Sequence, residues 1–262
     1  MKTVVTQLTM IGISLIAVSL MFVGQNYAKI DQQSIAGAWL FDENTGKVAK
    51  DISENGNDGK LMGNPKWVNG KFGKALDFNG STDYVEVASS KSLDITGDIT
   101  IVVWLYKRPA GRGTLLGKWK QVGDVWSYVL YDRGEGGGGW RLRWADQSQT
   151  NLEGPYTFPD NEWVHNAATY DGSKMKVFEN GKEIGTIDGN KKINVTENPV
   201  WIGNDGYQQH FNGILDEVAI FNVALTVDEI KSIMEEGLSK TLAVSASGKM
   251  AFTWGNIKKS DW

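Results

Sequence analysis

Trp119, Trp126, Tyr131, Trp140 and Trp144 cluster in residues 119–144, with Arg141, Arg143, Asp146 and Gln147 among or just after them. Exposed rings stack on the flat apolar faces of sugars, while guanidinium, carboxylate and amide groups bond the hydroxyls. This cluster is therefore the candidate carbohydrate site, with Trp119, Trp126, Tyr131, Trp140, Arg143 and Trp144 as contacting residues. A sandwich of this size also needs large side chains inside, and Trp is mostly buried on average, so more than half of these rings are expected in the core. Trp140, Leu142 and Trp144 alternate and share one face of a strand, with Arg141 and Arg143 on the other. The two Trp are thus buried together or line a groove together.

Other chemistry is sparse. The two histidines, His165 and His210, are far apart, and no Ser-His-Asp grouping follows from the spacing. Glycoside hydrolysis needs two carboxylates about 5–9 Å apart across one bond. Asp216 and Glu217 are adjacent, so strand alternation sends them to opposite faces. The chain has no Cys, which excludes disulfides, Cys-ligated zinc and thiol nucleophiles. A formal net charge of −4 without a basic run argues against nucleic acid as a partner.

The elements that must position these residues are strands. Many of the 31 Gly mark turns between short apolar runs, and Pro is low at 5, the pattern of an all-β sandwich. Residues 98–106 (DITIVVWLY) and 213–222 (GILDEVAIFN) carry apolar side chains on both faces, as central covered strands do. An acid inside such a strand, Asp216, needs a backbone donor, a cation or water. Asn180-Gly181 is a two-residue hairpin signal. Residues 60–68 are ambiguous, and 151–160 read as a long loop. One helix follows Thr226, with a capping box to Glu229, a staple of Leu225 on Ile230, and Gly237 as its end.

Lys2 is the only charge before Lys29, and residues 8–23 are almost wholly apolar. This is a signal-peptide pattern, with an uncleaved anchor as the alternative. The expected organisation is a signal peptide or anchor over 1–28, one domain over 34–237, and a tail or last strand over 238–262.

Several motifs carry a resemblance: Trp39-x-Phe41-Asp42-Glu43, Asp51-x-Ser53-x-Asn55-Gly56-Asn57-Asp58-Gly59, Gly73-Lys74-Ala75-Leu76-x-Phe78-Asn79-Gly80 and Asp83-Tyr84-Val85. Further on, Trp163-x-x-x-Ala167, Tyr170-Asp171-Gly172 and the closing Phe211-x-Gly213-x-Leu215-Asp216-Glu217-Val218 continue it. In this order, from about 36 to 236, they resemble the laminin-G-like, concanavalin-A-like jelly roll of exported bacterial proteins. The resemblance implies two antiparallel sheets packed face to face, with one short C-terminal helix. It also implies a structural calcium near the end of the first strand and the start of the last, held by Asp42, Asp216 and a carbonyl near Gly80. The glucanases of this fold carry Glu-x-Asp-x-x-Glu, which this chain lacks.

The expectation is an exported, non-catalytic module that binds a polysaccharide or glycoconjugate, secreted or in the cell envelope. Membrane contact would come only through an uncleaved N-terminal segment. An adhesion or scaffolding protein with a protein partner at the cell surface is the alternative, and a polysaccharide-degrading enzyme the third reading.

Overall fold

The computed structural model describes residues 30–257 apart from 110–111, 121–124, 135–137, 155–157 and 207–208, with side chains described to Leu242. The segment 1–28 read as a signal or anchor lies outside the described residues. Among the described residues, no helix is long and apolar enough to cross a membrane.

Two sheets form the sandwich. Sheet A takes β4 (Lys66–Asn69), β5 (Lys74–Asn79), β7 (Ile99–Lys107), β12 (Trp163–Tyr170), β13 (Lys174–Glu179), β14 (Lys182–Asp188) and β16 (Asn212–Phe221) in the order β14-β13-β12-β7-β16-β5-β4, and β1 (Ile35–Trp39) also pairs with β16. Sheet B runs β11-β10-β9-β8-β15-β6-β3-β2. Its strands are β2 (Val48–Ala49), β3 (Gly59–Met62), β6 (Tyr84–Val87), β8 (Gly113–Lys120), β9 (Val125–Asp132), β10 (Gly138–Arg143), β11 (Gln149–Glu153) and β15 (Val200–Ile202). All ladder pairs are antiparallel. This is the two-sheet jelly roll expected from the sequence.

The core lies between the sheets. Ile101, Val103 and Leu105 of β7 meet Leu116, Leu130, Trp140 and Leu142 of sheet B there. Val102, Ala167, Ala219 and Phe221 point to the outer face of sheet A, where Leu225, Ile230, Ile233 and Leu238 cover them. Both faces of β7 and β16 are therefore buried, which is why these strands are apolar throughout.

The covering helix α1 (Val227–Ile257) starts as its sequence requires. Glu229 Oε2 accepts from the Thr226 backbone N–H at 2.7 Å, and the Glu229 N–H donates to Thr226 Oγ1 at 3.3 Å. Gly237 breaks it at φ 79 and ψ 161, but helical backbone resumes beyond it to Ile257, in place of the tail or last strand expected over 238–262. The Asn180-Gly181 turn has φ of 48 and 73, and Glu179 pairs with Lys182, as a two-residue hairpin requires. The ambiguous stretch 60–68 resolves into parts of two strands, β3 and β4, in different sheets, divided at Gly63-Asn64-Pro65. The stretch 151–160 begins inside β11, a strand whose polar side chains hid it.

The oxygen-rich loop after β2 is a brace onto β1. Asp51 accepts from Ala38 N at 2.9 Å and Asn57 N at 2.7 Å, while Asn55 and Asn57 donate to the Ile35 and Ala36 carbonyls at 2.8 Å. Thr226→Ala is expected to cost about 1 kcal/mol through loss of the N-cap, lowering the melting temperature by about 2–4 °C in a thermal scan.

Candidate functional site

The open face of sheet B carries a cleft of about 430 Å³. This volume lies in the range of small-ligand pockets, roughly 300–1,000 Å³. Arg112, Thr114 and Trp119 line it from β8 and the residue before it, Val129, Tyr131 and Arg133 from β9 and its end, and Arg141 from β10. Asp205 and Gln209, between β15 and β16, complete the wall.

Breaks in the β8–β9 register set which rings reach this face. Gly117 pairs with Val129, but Trp119 pairs with Trp126, so β9 carries one extra residue there. Such a bulge reverses the alternation beyond it. Tyr128 and Leu130 enter the core, yet Trp126 turns outward and stacks on Trp119 with centroids 4.7 Å apart and planes 13° from parallel. Tyr131 crosses Gly139, where a Cβ would come within 2.2 Å of the phenol ring, so only glycine admits this ring position.

Electrostatics gather around Tyr131. Arg141 lies 4.5 Å and Arg133 5.3 Å from its ring centroid, both in cation–π range. Its hydroxyl donates to Glu153 Oε1 at 3.0 Å, and burial pushes the phenol up to about 12. The Arg141 guanidinium beside Glu153 holds that carboxyl below its usual range.

Two of the six residues expected to contact sugar, Trp119 and Tyr131, line the cleft. Trp126, 1% exposed, lies beneath Trp119, and Arg143 sits over Trp126 at 5.8 Å, beside the cleft. Trp140 and Trp144 are corrected: they are buried with Leu142 in the core, Trp144 bonding Thr150 Oγ1 at 2.9 Å. Their strand is regular, so all three follow one face inward. Arg112, Thr114, Arg133, Asp205 and Gln209 were missed; only the position of Arg141 opposite Trp140 was legible from alternation. Asp146 pairs with Lys191 at 2.7 Å, away from the cleft lining.

The calcium expectation places Asp42, Gly80 and Asp216 together, and β1 does pair with β16. Asp216 lies just past the Leu215–Leu76 pair, where the edge partner of β16 changes from β5 to β1. Gly80 lies beyond the Asn212–Asn79 pair at the other end of β5, on the order of 15 Å away at the usual rise per residue. Asp216 Oδ2 accepts from Lys71 N at 2.8 Å and Phe72 N at 3.0 Å, and Oδ1 from Glu217 N at 2.8 Å; Asp42 Oδ1 accepts from Lys74 N at 2.7 Å. N–H donors suit a carboxylate and compete with a cation for its lone pairs. The residues do not fit calcium in the implied arrangement, and among the described residues no group of three or more His, Cys, Asp or Glu side chains could hold a metal.

Glu217 departs from simple alternation. It is the extra residue of a bulge, with φ 50, because Asp216 pairs with Trp104 and Ala219 with Val102. Glu217 therefore joins Asp216 on the helix side, where Oε2 accepts from Leu238 N. His165 is fully buried beside Trp104, ring centroids 5.2 Å apart, and burial lowers its imidazole to about 3.

The chain is thus a two-sheet jelly roll with a cleft on the open face of sheet B. A family model described as the concanavalin A-like lectin/glucanases superfamily, of the laminin G class, matches residues 79–231, and the chain belongs to this family. A stretch of 119 residues is 28% identical to pappalysin-1 of Mus musculus, covering 42% of this chain and 7% of that protein. Domain 4 of AbnA, an extracellular GH43 arabinanase of Geobacillus stearothermophilus solved with arabinotriose, superposes with a TM-score of 0.62 at 18% identity, over 76% of this chain and 98% of that domain. The ligand-binding domain of botulinum neurotoxin serotype D, solved with N-acetylneuraminic acid, gives 0.60 at 16% identity, over 78% and 51%. At these identities the solved structures share the fold.

Burial pushes the Asp216 carboxyl up to about 8 and the Glu217 carboxyl to about 7. Both bind a proton more readily in the fold than in the unfolded chain. The stability they contribute is complete below the ordinary carboxylate range and is lost as pH rises through those values. Melting temperature is expected to fall between about pH 4 and about pH 8, and Asp216→Asn with Glu217→Gln to flatten that slope.

Proposed function

We propose that this chain is an exported, non-catalytic recognition module that binds a glycan in the cleft on the open face of sheet B. The observation that carries this reading is the Trp119–Trp126 stack at the cleft wall. Trp126 covers one face of Trp119 and fixes its plane, so a sugar ring can stack on it without further ordering of the indole. Gln209, Thr114 and the arginines supply hydrogen-bond partners for hydroxyls. The arabinotriose and N-acetylneuraminic acid complexes of the structural neighbours support a saccharide as ligand.

A non-catalytic role is supported by the acids near the cleft. Glu153, bonded by two guanidiniums and held below its usual range, is a poor proton donor. Asp205 Oδ1 accepts from Gln209 N at 3.1 Å. Export is supported by the basic start and apolar run of the N-terminal segment.

Binding is tested by isothermal titration against a panel of soluble polysaccharides. Trp119→Ala is expected to weaken the best ligand about tenfold or more, the cost of a stacking anchor, while the circular dichroism spectrum of the folded sandwich is retained. A panel without any ligand would sink the reading. The bond pattern at Asp216 supports a corner that stands without metal. EDTA is expected to leave the melting temperature unchanged, whereas Asp216→Ala, which strands buried N–H groups, costs about 3 kcal/mol, or about 6–12 °C.

A further inference from the structure

Glu153 ends β11, the edge strand of sheet B beside the cleft. Its carboxylate is gripped by four donors. Arg133 Nη1 donates to Oε2 at 2.9 Å and Nη2 to Oε1 at 3.0 Å, a bidentate fork; Arg141 Nη2 donates to Oε1 at 2.5 Å and Tyr131 Oη at 3.0 Å. An isolated surface ion pair is worth little and is held loosely. This group is more ordered than that. Tyr131 is 8% exposed, the Arg141 side chain 17%, and both guanidiniums lie over the Tyr131 ring. Planar forked donors around one point are the geometry of carboxylate recognition.

The three donor residues all line the cleft. Arg112 lines it too; it is exposed and makes no ion pair among the described residues. Three guanidiniums against the carboxylates of Asp205 and Glu153 leave the site one charge positive, on a chain of net charge −4. A neutral sugar needs no such excess, and the uncompensated guanidinium of Arg112 is free to meet an anion.

We propose, resting on the carbohydrate reading above, that the cleft binds a glycan bearing carboxylate groups. Arg112 is the outer anchor, and the cradle of Tyr131, Arg133 and Arg141 is the inner one, filled by Glu153 as an intramolecular stand-in. The Glu153 side chain, 39% exposed at a strand end, is placed to leave as a ligand carboxylate arrives. Glu153 thereby competes with the ligand and favours glycans that carry the same group. The remaining contacts, stacking on Trp119 and hydrogen bonds from Gln209, are indifferent to charge.

The test titrates the full chain with homogalacturonan, alginate, hyaluronan and polysialic acid, each beside its methyl-esterified or carboxyl-reduced form, and with dextran sulfate. At least one acidic polymer is expected to bind about tenfold or more tightly than its neutral form. Arg112→Ala should lose most of that margin, and Glu153→Gln should tighten acidic ligands about threefold or more and neutral ones by less, since removing the competitor frees a cationic cradle that a carboxylate fills better than a hydroxyl. Lys66→Ala, on sheet A, is the control for general charge. Equal binding of acidic and neutral forms, unmoved by Glu153→Gln, overturns the carboxylate assignment and leaves the carbohydrate reading intact. Equal binding of dextran sulfate and the uronates, removed alike by salt, makes the site an unselective cationic patch and also overturns it. Failure of every polysaccharide, neutral ones included, removes the carbohydrate reading and this inference together.

Discussion

In a sheet packed on one side, the parity of each residue decides whether its side chain enters the core or leaves it, and one extra residue reverses everything beyond it. Both the interior and the cleft depend on where this chain keeps that alternation and where it breaks it. β10 keeps it, so Trp140, Leu142 and Trp144 fill the core while Arg141 stands on the open face. β9 breaks it between Tyr128 and Trp126, and the break puts Trp126 under Trp119. Without the bulge, Trp126 would follow Tyr128 and Leu130 inward and Trp119 would lose its support.

The second break, in β16, has a different consequence. It falls where the neighbouring strand changes from β5 to β1, so the edge of β16 has no continuous ladder partner there. Backbone N–H groups of the turn at 71–74 meet carboxylates instead of carbonyls: Asp216 takes Lys71 and Phe72, and Asp42 takes Lys74. The bulge also swings Glu217 to the side of the helix, where it takes the N–H of Leu238 after the Gly237 break. The acids in this apolar strand thus satisfy donors that the sheet and helix leave over, which is the accounting buried backbone demands.

The two regions lie on different sheets and face different chemistry. The corner at Asp216 gathers N–H donors around buried carboxylates and ties strand, turn and helix together. The cleft gathers guanidiniums and rings around a half-exposed carboxylate on an edge strand. Rigid strands position Arg141 and Tyr131, while Arg112, Asp205 and Gln209 come from connecting segments, the usual division between scaffold and recognition.

Local periodicity and turn chemistry in the sequence determined an all-β sandwich, the covered central strands, the capped helix and the Asn180-Gly181 hairpin, while the jelly-roll topology came from the resemblance of the ordered motifs. The sequence also determined that Trp140 and Trp144 share a fate and that Arg141 faces the other way. It could not decide which fate, since parity is relative until a second sheet covers one face. Nor could it show either bulge: one residue opposed by two is a property of the pairing, not of either strand. Strand β11 and Glu153 stayed hidden because a polar edge strand lacks the apolar alternation that marks a buried one. Arg112, Arg133, Asp205 and Gln209 are distant in sequence and met only when β8, β9 and β15 were brought side by side. The charge of the cleft, and so the kind of ligand it favours, is a product of that long-range pairing.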